Sequence, residues 1–239
     1  MAKLIYVLWA PEGQSKNKIK DLLLSEVQQK LYEAGVQKLT MYIDDEYSTV
    51  RSPAPKLYRG PAISAEISLW IDDAEKHQEL EKILAPYSLR IAGYLVDESI
   101  YTEYGGNRHF RERDWPDGER SPVVMAVTLM ERPHRLSHEE WIRRWHGTQS
   151  PASEAMQPRA RYIRNVVLQA VTPDAPPFEG IVEEAWPSAR HITNPFLFYG
   201  ASNIFKLALN IYRMFRSVVA FLNFTKIRTS TMSEYILKS

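Results

Sequence analysis

The spacing of apolar residues predicts an alternation of strands and helices in the first half of the chain. Four segments are rich in β-branched, aromatic and aliphatic side chains, as strands are: residues 4–10, 36–43, 63–71 and 89–96. Between them, residues 16–34 have apolar positions at helical spacing, and residues 72–84 are predicted to form a short helix. The resulting order, β-α-β-β-α-β, is the split βαβ pattern of the ferredoxin-like fold.

The same order of elements returns in the second half of the chain. Four further strands are predicted there: residues 123–130, 162–171, 181–186 and 232–237. Helices are predicted over residues 137–157 and 204–224, with a proline-rich connection at 172–180 and an irregular insertion at 187–201. The corresponding long connection of the first half, residues 44–61, includes Pro53, Pro55 and Pro61. The pattern therefore predicts a tandem repeat.

A charged segment, residues 97–120, separates the two halves. It contains two adjacent glycines, followed by Pro116 and Gly118, which is typical of a linker. We therefore expect an N-terminal half over residues 1–112 and a C-terminal half over residues 119–239.

The first strand of each half is apolar on both faces. Successive strand side chains point to opposite faces, and both Leu4 and its neighbour Ile5 belong to apolar rows. A lone ferredoxin-like unit would leave one sheet face open, so its apolar residues need a cover. The simplest cover is the sheet of the other half. The sequence thus predicts an α+β protein whose two antiparallel sheets pack face to face within one chain.

Composition excludes several classes of site. The chain of 239 residues has a net charge of +1, which gives no electrostatic reason to expect nucleic acid binding. It contains no cysteine, so disulfides, zinc–thiolate sites and cysteine nucleophiles are excluded. The histidine spacing gives no metal motif, and no nucleotide-binding glycine motif is present, so no metal and no cofactor are expected. The first apolar stretch is short for a signal peptide, and a cytoplasmic protein is expected.

Residues 204–224 are the most apolar helical segment. Lys206, Arg213 and Arg216 lie within it, and a helix that spans a membrane rarely tolerates such charges at its middle. The interpretation that we favour is a buried amphipathic helix. The alternative is a helix that lies at a membrane surface.

The helix that begins near residue 137 contains the first candidate for catalysis. Ser137 and Glu140 form a capping box, and the stripe that contains Trp145 should face the sheet. His146 lies beside this stripe, and Pro151 lacks the N–H that would bond to the Gly147 carbonyl. We therefore expect a bend or break after His146, and a histidine there could titrate near neutrality and move a proton. The alternative is a histidine that only packs or caps.

Other polar residues on the following strands could complete a site with His146. Tyr162 and Asn165 point to opposite faces, and Asn165 interrupts an apolar row, so it needs a partner. Glu184 lies between apolar neighbours and could act as an acid, while Trp186 could form a pocket wall. His191, in the insertion, could lie at the pocket mouth. Each residue also has a purely structural interpretation: packing, a backbone hydrogen bond or a solvated charge.

Several of these residues stand in a pattern that resembles the EthD domain family of the dimeric α/β-barrel superfamily. The matching pieces are Leu-Ser-His-Glu-Glu-Trp at 136–141, the pair Trp145-His146, and the strand from Arg161 to Asn165. Residues 180–186 and 233–238 also look like the third and last strands of that family.

The resemblance implies a barrel of paired ferredoxin-like sheets and chemistry without a metal or nucleotide. The family often has a proline soon after its histidine, whereas here the proline comes later, at Pro151. Relatives in the superfamily include polyketide cyclases, decarboxylases, monooxygenases without cofactor and haem-degrading enzymes.

Together these observations favour a cofactor-independent enzyme of cyclase, lyase or decarboxylase type, acting on a hydrophobic carbonyl or phenolic compound. His146 would move a proton, while Tyr162, Asn165 or Glu184 would orient or polarise the substrate. Trp145 and Trp186 would wall one pocket in the second half of the chain. The alternatives are a non-catalytic binding protein for an apolar ligand or haem, and a peripheral membrane or assembly protein. A homodimer is left open.

Overall fold

A computed structural model describes residues 1–11, 13–51 and 61–239. Within these residues the strands are β1 (Ala2–Trp9), β2 (Lys38–Ile43), β3 (Ala65–Ile71), β4 (Arg90–Thr102), β5 (Val124–Met130), β6 (Arg161–Ala170), β7 (Gly180–Trp186) and β8 (Arg228–Lys238). All eight are antiparallel to their neighbours and close one barrel in the order β1-β3-β2-β8-β5-β7-β6-β4.

The helices of the described residues lie outside this barrel or connect its strands. They are α1 (Lys16–Leu22), α2 (Gln28–Glu33), α3 (His77–Leu84), α4 (His138–Arg144), α5 (Ser150–Glu154), α6 (Ala189–Thr193), α7 (Pro195–Phe198) and α8 (Ile204–Phe221). A π-helical turn, Leu23–Val27, joins α1 to α2, and a second, Trp145–Gln149, joins α4 to α5. The α+β class and the antiparallel barrel within one chain are thus confirmed.

The two halves join at two strand edges. The first half contributes the run β4-β1-β3-β2 and the second half the run β8-β5-β7-β6. Hydrogen bonds between β2 and β8, and between β4 and β6, close the barrel. The two sheets were expected to pack face to face. They are instead joined edge to edge by backbone hydrogen bonds and enclose one shared interior.

Both faces of the strands are buried, as the apolar pattern predicted. Ile5 and Val7 point into the barrel, while Leu4 and Leu8 point outward and pack under the first-half helices. The interior and the layer beneath the helices are thus separate cores on opposite sides of one sheet.

Two predicted connections contain more structure than expected. Residues 97–102 belong to β4 rather than to a linker, because their polar sequence pairs with β6 from Asp97–Val166 to Thr102–Tyr162. The insertion at 187–201 contains α6 and α7. Of the long connection at 44–61, Pro53 and Pro55 lie outside the described residues. The proposed domain limits, 1–112 and 119–239, stay a prediction.

The barrel interior contains a charged network that connects the two halves. Lys3 of β1 donates to Glu98 at 2.6 Å, to Asn165 at 2.9 Å and to Glu183 at 3.1 Å. Tyr42 donates to the other oxygen of Glu183 at 2.8 Å. Burial alone would raise the pKa of Glu183, but Lys3, Arg161 and the Tyr42 hydroxyl hold it below its ordinary value. Glu183 is therefore a paired carboxylate inside the barrel.

Glu66 is a second carboxyl group in the same interior, and it has a different environment. It is 0% exposed, and neither of its carboxyl oxygens has a hydrogen-bond partner among the described residues. Burial and the nearby charge of Glu183 raise its pKa well above the ordinary value. The barrel interior therefore favours the neutral form of Glu66 over the charged form, although Lys3 opposes this effect.

We expect Lys3→Met to lower the free energy of unfolding by about 3–5 kcal/mol at neutral pH, because it leaves Glu183 charged and unpaired inside the barrel. Urea denaturation followed by circular dichroism measures this loss. The matched control is Lys18→Met, an exposed helical lysine, which should change stability by less than about 0.5 kcal/mol. Adding Glu183→Gln to Lys3→Met should restore part of the loss. A cost below about 1 kcal/mol for Lys3→Met would contradict the role given to the network.

Glu66→Gln should make the protein more resistant to alkaline pH. A carboxyl whose pKa is raised by folding contributes stability that is complete below its unfolded pKa and is lost as pH rises toward the folded pKa. This loss is at most about 1.4 kcal/mol per pH unit, and glutamine has no proton to lose. Urea denaturation at pH 5, 7 and 9 should therefore show an advantage of the variant that grows with pH. Parallel pH profiles for the two proteins would exclude a protonated Glu66.

Candidate functional site

A cavity of about 270 Å³ lies between α8 and the outer face of the second-half sheet. Its walls are mainly apolar and include Trp145, Val182, Ile211, Met214 and Phe221. Its polar lining residues include four from the sheet and from the segment before β6: Gln157, Arg159, Tyr162 and Glu184. An apolar cavity with a few polar groups at one end is the usual form of a small-molecule site.

The sequence around the second π-helical turn determines how Trp145 enters this cavity. The Ser150 N–H donates to the Trp145 carbonyl, which widens the helix by one residue relative to an α-helix. The helix continues through α5, so the predicted bend or break after His146 is wrong in that form. Pro151 cannot supply an N–H to Gly147, and the chain accommodates this with a wider turn rather than a break.

Gly180 allows the two tryptophans of this helix to lie against the sheet. A Cβ atom at Gly180 would lie 2.8 Å from Trp141 and 2.9 Å from Trp145. Trp141 and Trp145 are fully or almost fully buried, with ring centroids 5.0 Å apart. A side chain at position 180 would therefore displace the wall of the cavity.

Tyr162 forms the polar part of the cavity floor. Its hydroxyl accepts a hydrogen bond from Trp145 Nε1 at 3.3 Å and lies 3.1 Å from Ser150 Oγ. Burial raises the pKa of Tyr162, although Arg159 opposes this effect. The phenol is therefore protonated at neutral pH and can share its proton with an oxygen atom.

Arg159 is the buried cation of the site. Its guanidinium lies 3.8 Å from the centroid of the Tyr162 ring and donates to Glu184 at 2.6 Å. A second nitrogen donates to Ser153 and to Glu154, each at 2.9 Å. Burial alone would lower the pKa of Arg159, but Glu184, Tyr162 and Glu154 raise it overall. The Nε atom of Arg159 is buried and has no partner among the described residues.

His146 is not among the residues that line the cavity. Its ring packs edge-on against Trp145 at 4.6 Å, and its Nε2 atom is buried without a partner among the described residues. Burial and the Arg164 charge lower the pKa of His146 to about 4, against a weaker opposing effect of Asp97. The expectation of titration near neutrality therefore fails. A role of His146 in proton transfer stays a prediction.

The remaining predicted residues lie at three different places. Asn165 is buried in the barrel interior, where it donates to Glu183 at 3.0 Å, on the other side of the sheet from the cavity. Trp186 stacks on Phe198, with centroids 4.9 Å apart, and only Phe198 reaches the cavity. His191 lies 2.9 Å from Ser188, and burial, His109 and Arg190 lower its pKa. The structure therefore brings Trp145, Tyr162 and Glu184 together and leaves the other candidates apart.

Sequence reasoning missed Arg159, Gln149 and Met214. Gln149 Nε2 lies 3.6 Å from Met214 Sδ, so these residues connect the π-helical turn to α8. Arg159 stands in a run with two further arginines, and nothing in its spacing marks it as the buried one. In the part of the chain that the structure describes, no cluster of histidine and carboxylate side chains could hold a metal ion. No helix of the described residues is long and apolar enough to cross a membrane.

Comparison with known proteins gives a likeness of fold. No family model matches this chain, and no curated protein matches it. An anthrone oxidase-like protein matches with a TM-score of 0.58 and 10% identity, over 100% of this chain and 94% of that one. A candidate monooxygenase from Lactobacillus acidophilus NCFM matches with a TM-score of 0.48 and 9% identity, over 99% and 96%. A mutant chlorite dismutase from Candidatus Nitrospira defluvii, in complex with cyanide, gives 0.47 and 7%, over 99% and 91%.

At these identities the likeness shows the fold alone. The resemblance to the EthD family stays a prediction, since no family model supports it.

The imidazole of His146 should titrate with a midpoint at about pH 4, because burial disfavours its charged form. Its carbon-bound proton can be followed by NMR, with His146→Gln used to assign the signal among the six histidines. A histidine whose pKa is lowered by folding contributes stability above its unfolded pKa, and this stability is lost as pH falls toward the folded value. His146→Gln should therefore flatten the stability profile between about pH 6.5 and 4. A midpoint at pH 6 or above would contradict the buried environment described here.

Proposed function

We propose that this chain is a small-molecule enzyme that binds a hydrophobic carbonyl or phenolic compound in the cavity beneath α8. Its own side chains would carry the acid–base chemistry, of the cyclase, lyase or decarboxylase type, without a cofactor. We also interpret the two halves as tandem ferredoxin-like units and the second half as EthD-like. The order β-α-β-β-α-β in each half and the matching strand runs support that interpretation.

The observation that carries the proposal is the buried Nε–H of Arg159, without a partner among the described residues, beside an apolar cavity. A buried donor without a partner costs roughly 1–3 kcal/mol, and an oxygen atom of a ligand would recover this cost. Tyr162, whose ring lies under the Arg159 guanidinium, lines the same cavity and would supply its hydroxyl as the second donor. Two preorganised donors in an apolar cavity stabilise negative charge that develops on such an oxygen.

Glu184 is the candidate proton acceptor. It lines the cavity and its Oε1 atom binds Arg159, which fixes the orientation of the carboxyl group. When the substrate oxygen takes up negative charge near Arg159, Glu184 would accept the proton that leaves a carbon atom conjugated with that oxygen. This assignment replaces His146 as the proton acceptor, because His146 does not line the cavity.

Haem fits the cavity less well than a small organic ligand. Haem iron is held by histidine, cysteine, methionine or tyrosine side chains. Among the lining residues, the candidate ligands of a haem iron are Met214 and two tyrosines. The sulfur of Met214 already accepts a hydrogen bond from Gln149. One of the two tyrosines, Tyr162, is already bonded to Trp145 and Ser150. The volume of about 270 Å³ also lies at the low end of ligand pockets, which favours a compact aromatic molecule.

Anthrone is a suitable probe, because this chain is similar in fold to an anthrone oxidase-like protein and anthrone is a compact aromatic ketone. Exchange of its methylene protons with D₂O requires removal of a proton and stabilisation of the enolate oxygen. We expect the protein to bind anthrone, measured by quenching of tryptophan fluorescence, and to accelerate this exchange, measured by NMR. Glu184→Gln and Tyr162→Phe should keep binding within about threefold and slow exchange by roughly 10²–10⁴-fold.

Two tryptophan substitutions on α8 test whether anthrone binds in this cavity or on the exposed surface of the helix. Ile211→Trp places a larger ring in the cavity lining and should weaken anthrone binding by at least tenfold, while Leu209→Trp, outside the lining on the same helix, should not. Binding without exchange would favour the alternative of a non-catalytic binding protein. Equal binding by both tryptophan variants would remove the cavity from the proposal, and loss of exchange in His146→Ala with full activity in Glu184→Gln would return the catalytic role to His146.

A further inference from the structure

The outer side of α8 is an exposed apolar surface. Seven apolar or aromatic residues of this helix are exposed: Ile204, Phe205, Leu209, Ile211, Tyr212, Phe215 and Val219. Phe205 is 84% exposed, Phe215 60% and Tyr212 57%. Single exposed apolar residues are ordinary on a protein surface, but a contiguous group of this size marks a site of contact.

These residues form one sector of the helix. At about 3.6 residues per turn, the buried residues Leu207, Met214 and Phe221 face the sheet, and the exposed apolar residues occupy the adjacent sector. Lys206 and Arg213 lie on the remaining side, with Arg216 at the margin between the two. The helix thus has two apolar faces. One packs against its own sheet, and the other is exposed to solvent.

The sequence segment that contains α8 is entirely basic, and acidic residues of other segments lie beside it: Glu131 pairs with Lys226, and Glu140 pairs with Arg144. From residue 185 to residue 233 the sequence contains six lysines and arginines and no aspartate or glutamate. The whole chain has 30 basic and 29 acidic residues, so the acidic residues are concentrated elsewhere. At the C-terminal end of α8, Arg135 donates to the Val219 carbonyl at 2.6 Å, and Arg144 donates to the Ala220 carbonyl at 3.0 Å.

We propose that α8 binds to the surface of an anionic lipid bilayer, lying in the plane of the interface with its exposed apolar residues among the acyl chains. A helix with an apolar face and lysine or arginine on the polar side has the chemistry of such a surface. The proposal does not depend on the proposed function, although two residues of this face, Ile211 and Phe215, also line the cavity. It is the alternative that the sequence left open for residues 204–224, namely a helix that lies at a membrane surface.

Charge is the reason to prefer a bilayer over a second copy of this chain. Two copies that met through this face would bring Arg213 and Arg216 of one copy toward the same residues of the other. No carboxylate within residues 185–233 could pair with them. An anionic lipid surface pairs with every cation on the helix, at about fivefold in affinity per lysine or arginine.

The test is co-sedimentation of the full chain with vesicles of phosphatidylcholine, with and without phosphatidylserine. We expect binding to the anionic vesicles that falls as salt is raised, and little binding to phosphatidylcholine alone. Lys206→Gln/Arg213→Gln/Arg216→Gln should weaken binding about a hundredfold. Phe205→Gln/Tyr212→Gln should weaken it at least tenfold, and neither residue lines the cavity.

Matched controls separate this surface from general charge and apolarity. Lys76→Gln/Lys82→Gln neutralises exposed lysines at the first-half helix α3, and Leu168→Gln removes an apolar residue that is 62% exposed on β6. Both should bind anionic vesicles like the unaltered chain, and all variants should show the same thermal unfolding. Equal binding to both kinds of vesicle, or binding that the α8 substitutions leave unchanged, would overturn the proposal. So would a dimer in lipid-free sedimentation that Phe205→Gln/Tyr212→Gln converts to a monomer, since the face would then be an interface between copies.

Discussion

Lys3 is the buried charge on which closure of the barrel depends. It stands on the first strand and binds two residues of the second half, Asn165 and Glu183. Backbone ladders at two edges join the halves, but a ladder alone tolerates a shift of register. A cation that needs specific carboxylate and amide partners across the interior penalises any such shift, because each shift would leave a charge unpaired in an apolar surrounding. Glu66, whose pKa is raised by burial and by the charge of Glu183, adds a second buried carboxyl group beside this network.

The cavity follows from what this closure leaves on the outside of the sheet. The interior holds side chains from both halves and a cavity of about 280 Å³ beside Lys3 and Glu183. The apolar outer face of the second half is covered by its own helices. The π-helical turn and Gly180 bring Trp145 close to the strands, while α8 contacts them through only a few residues. The cavity lies between Trp145 and α8. Its polar part is the group formed by Arg159, Glu184 and Tyr162.

Much of the fold can be predicted from residue periodicity, because strand and helix spacing depend on local burial. The order of elements and the burial of Leu4 and Ile5 on opposite faces followed from alternation alone. The extension of β4 could not, since Asp97–Thr102 is polar and acquires its strand conformation from pairing with β6. For the site, Trp145, Tyr162 and Glu184 were identified from their faces. Arg159 was missed because its burial depends on three partners that are brought together only in the folded chain: Ser153, Glu154 and Glu184.

The two halves repeat one order of elements, yet the apolar cavity lies in the second half, and helix length explains why. In the first half, the helix before the last strand is α3, of 8 residues, and it packs with Leu80 and Leu84 buried. Its counterpart, α8, has 18 residues, more than twice as many as α3. A helix of that length cannot keep its whole apolar surface on a twisted sheet, because the sheet curves away from a straight axis. It therefore contacts the sheet along one narrow face, encloses a space beneath it and exposes a second apolar face. The mismatch between a long straight helix and a twisted sheet thus accounts for both the cavity and the exposed apolar face.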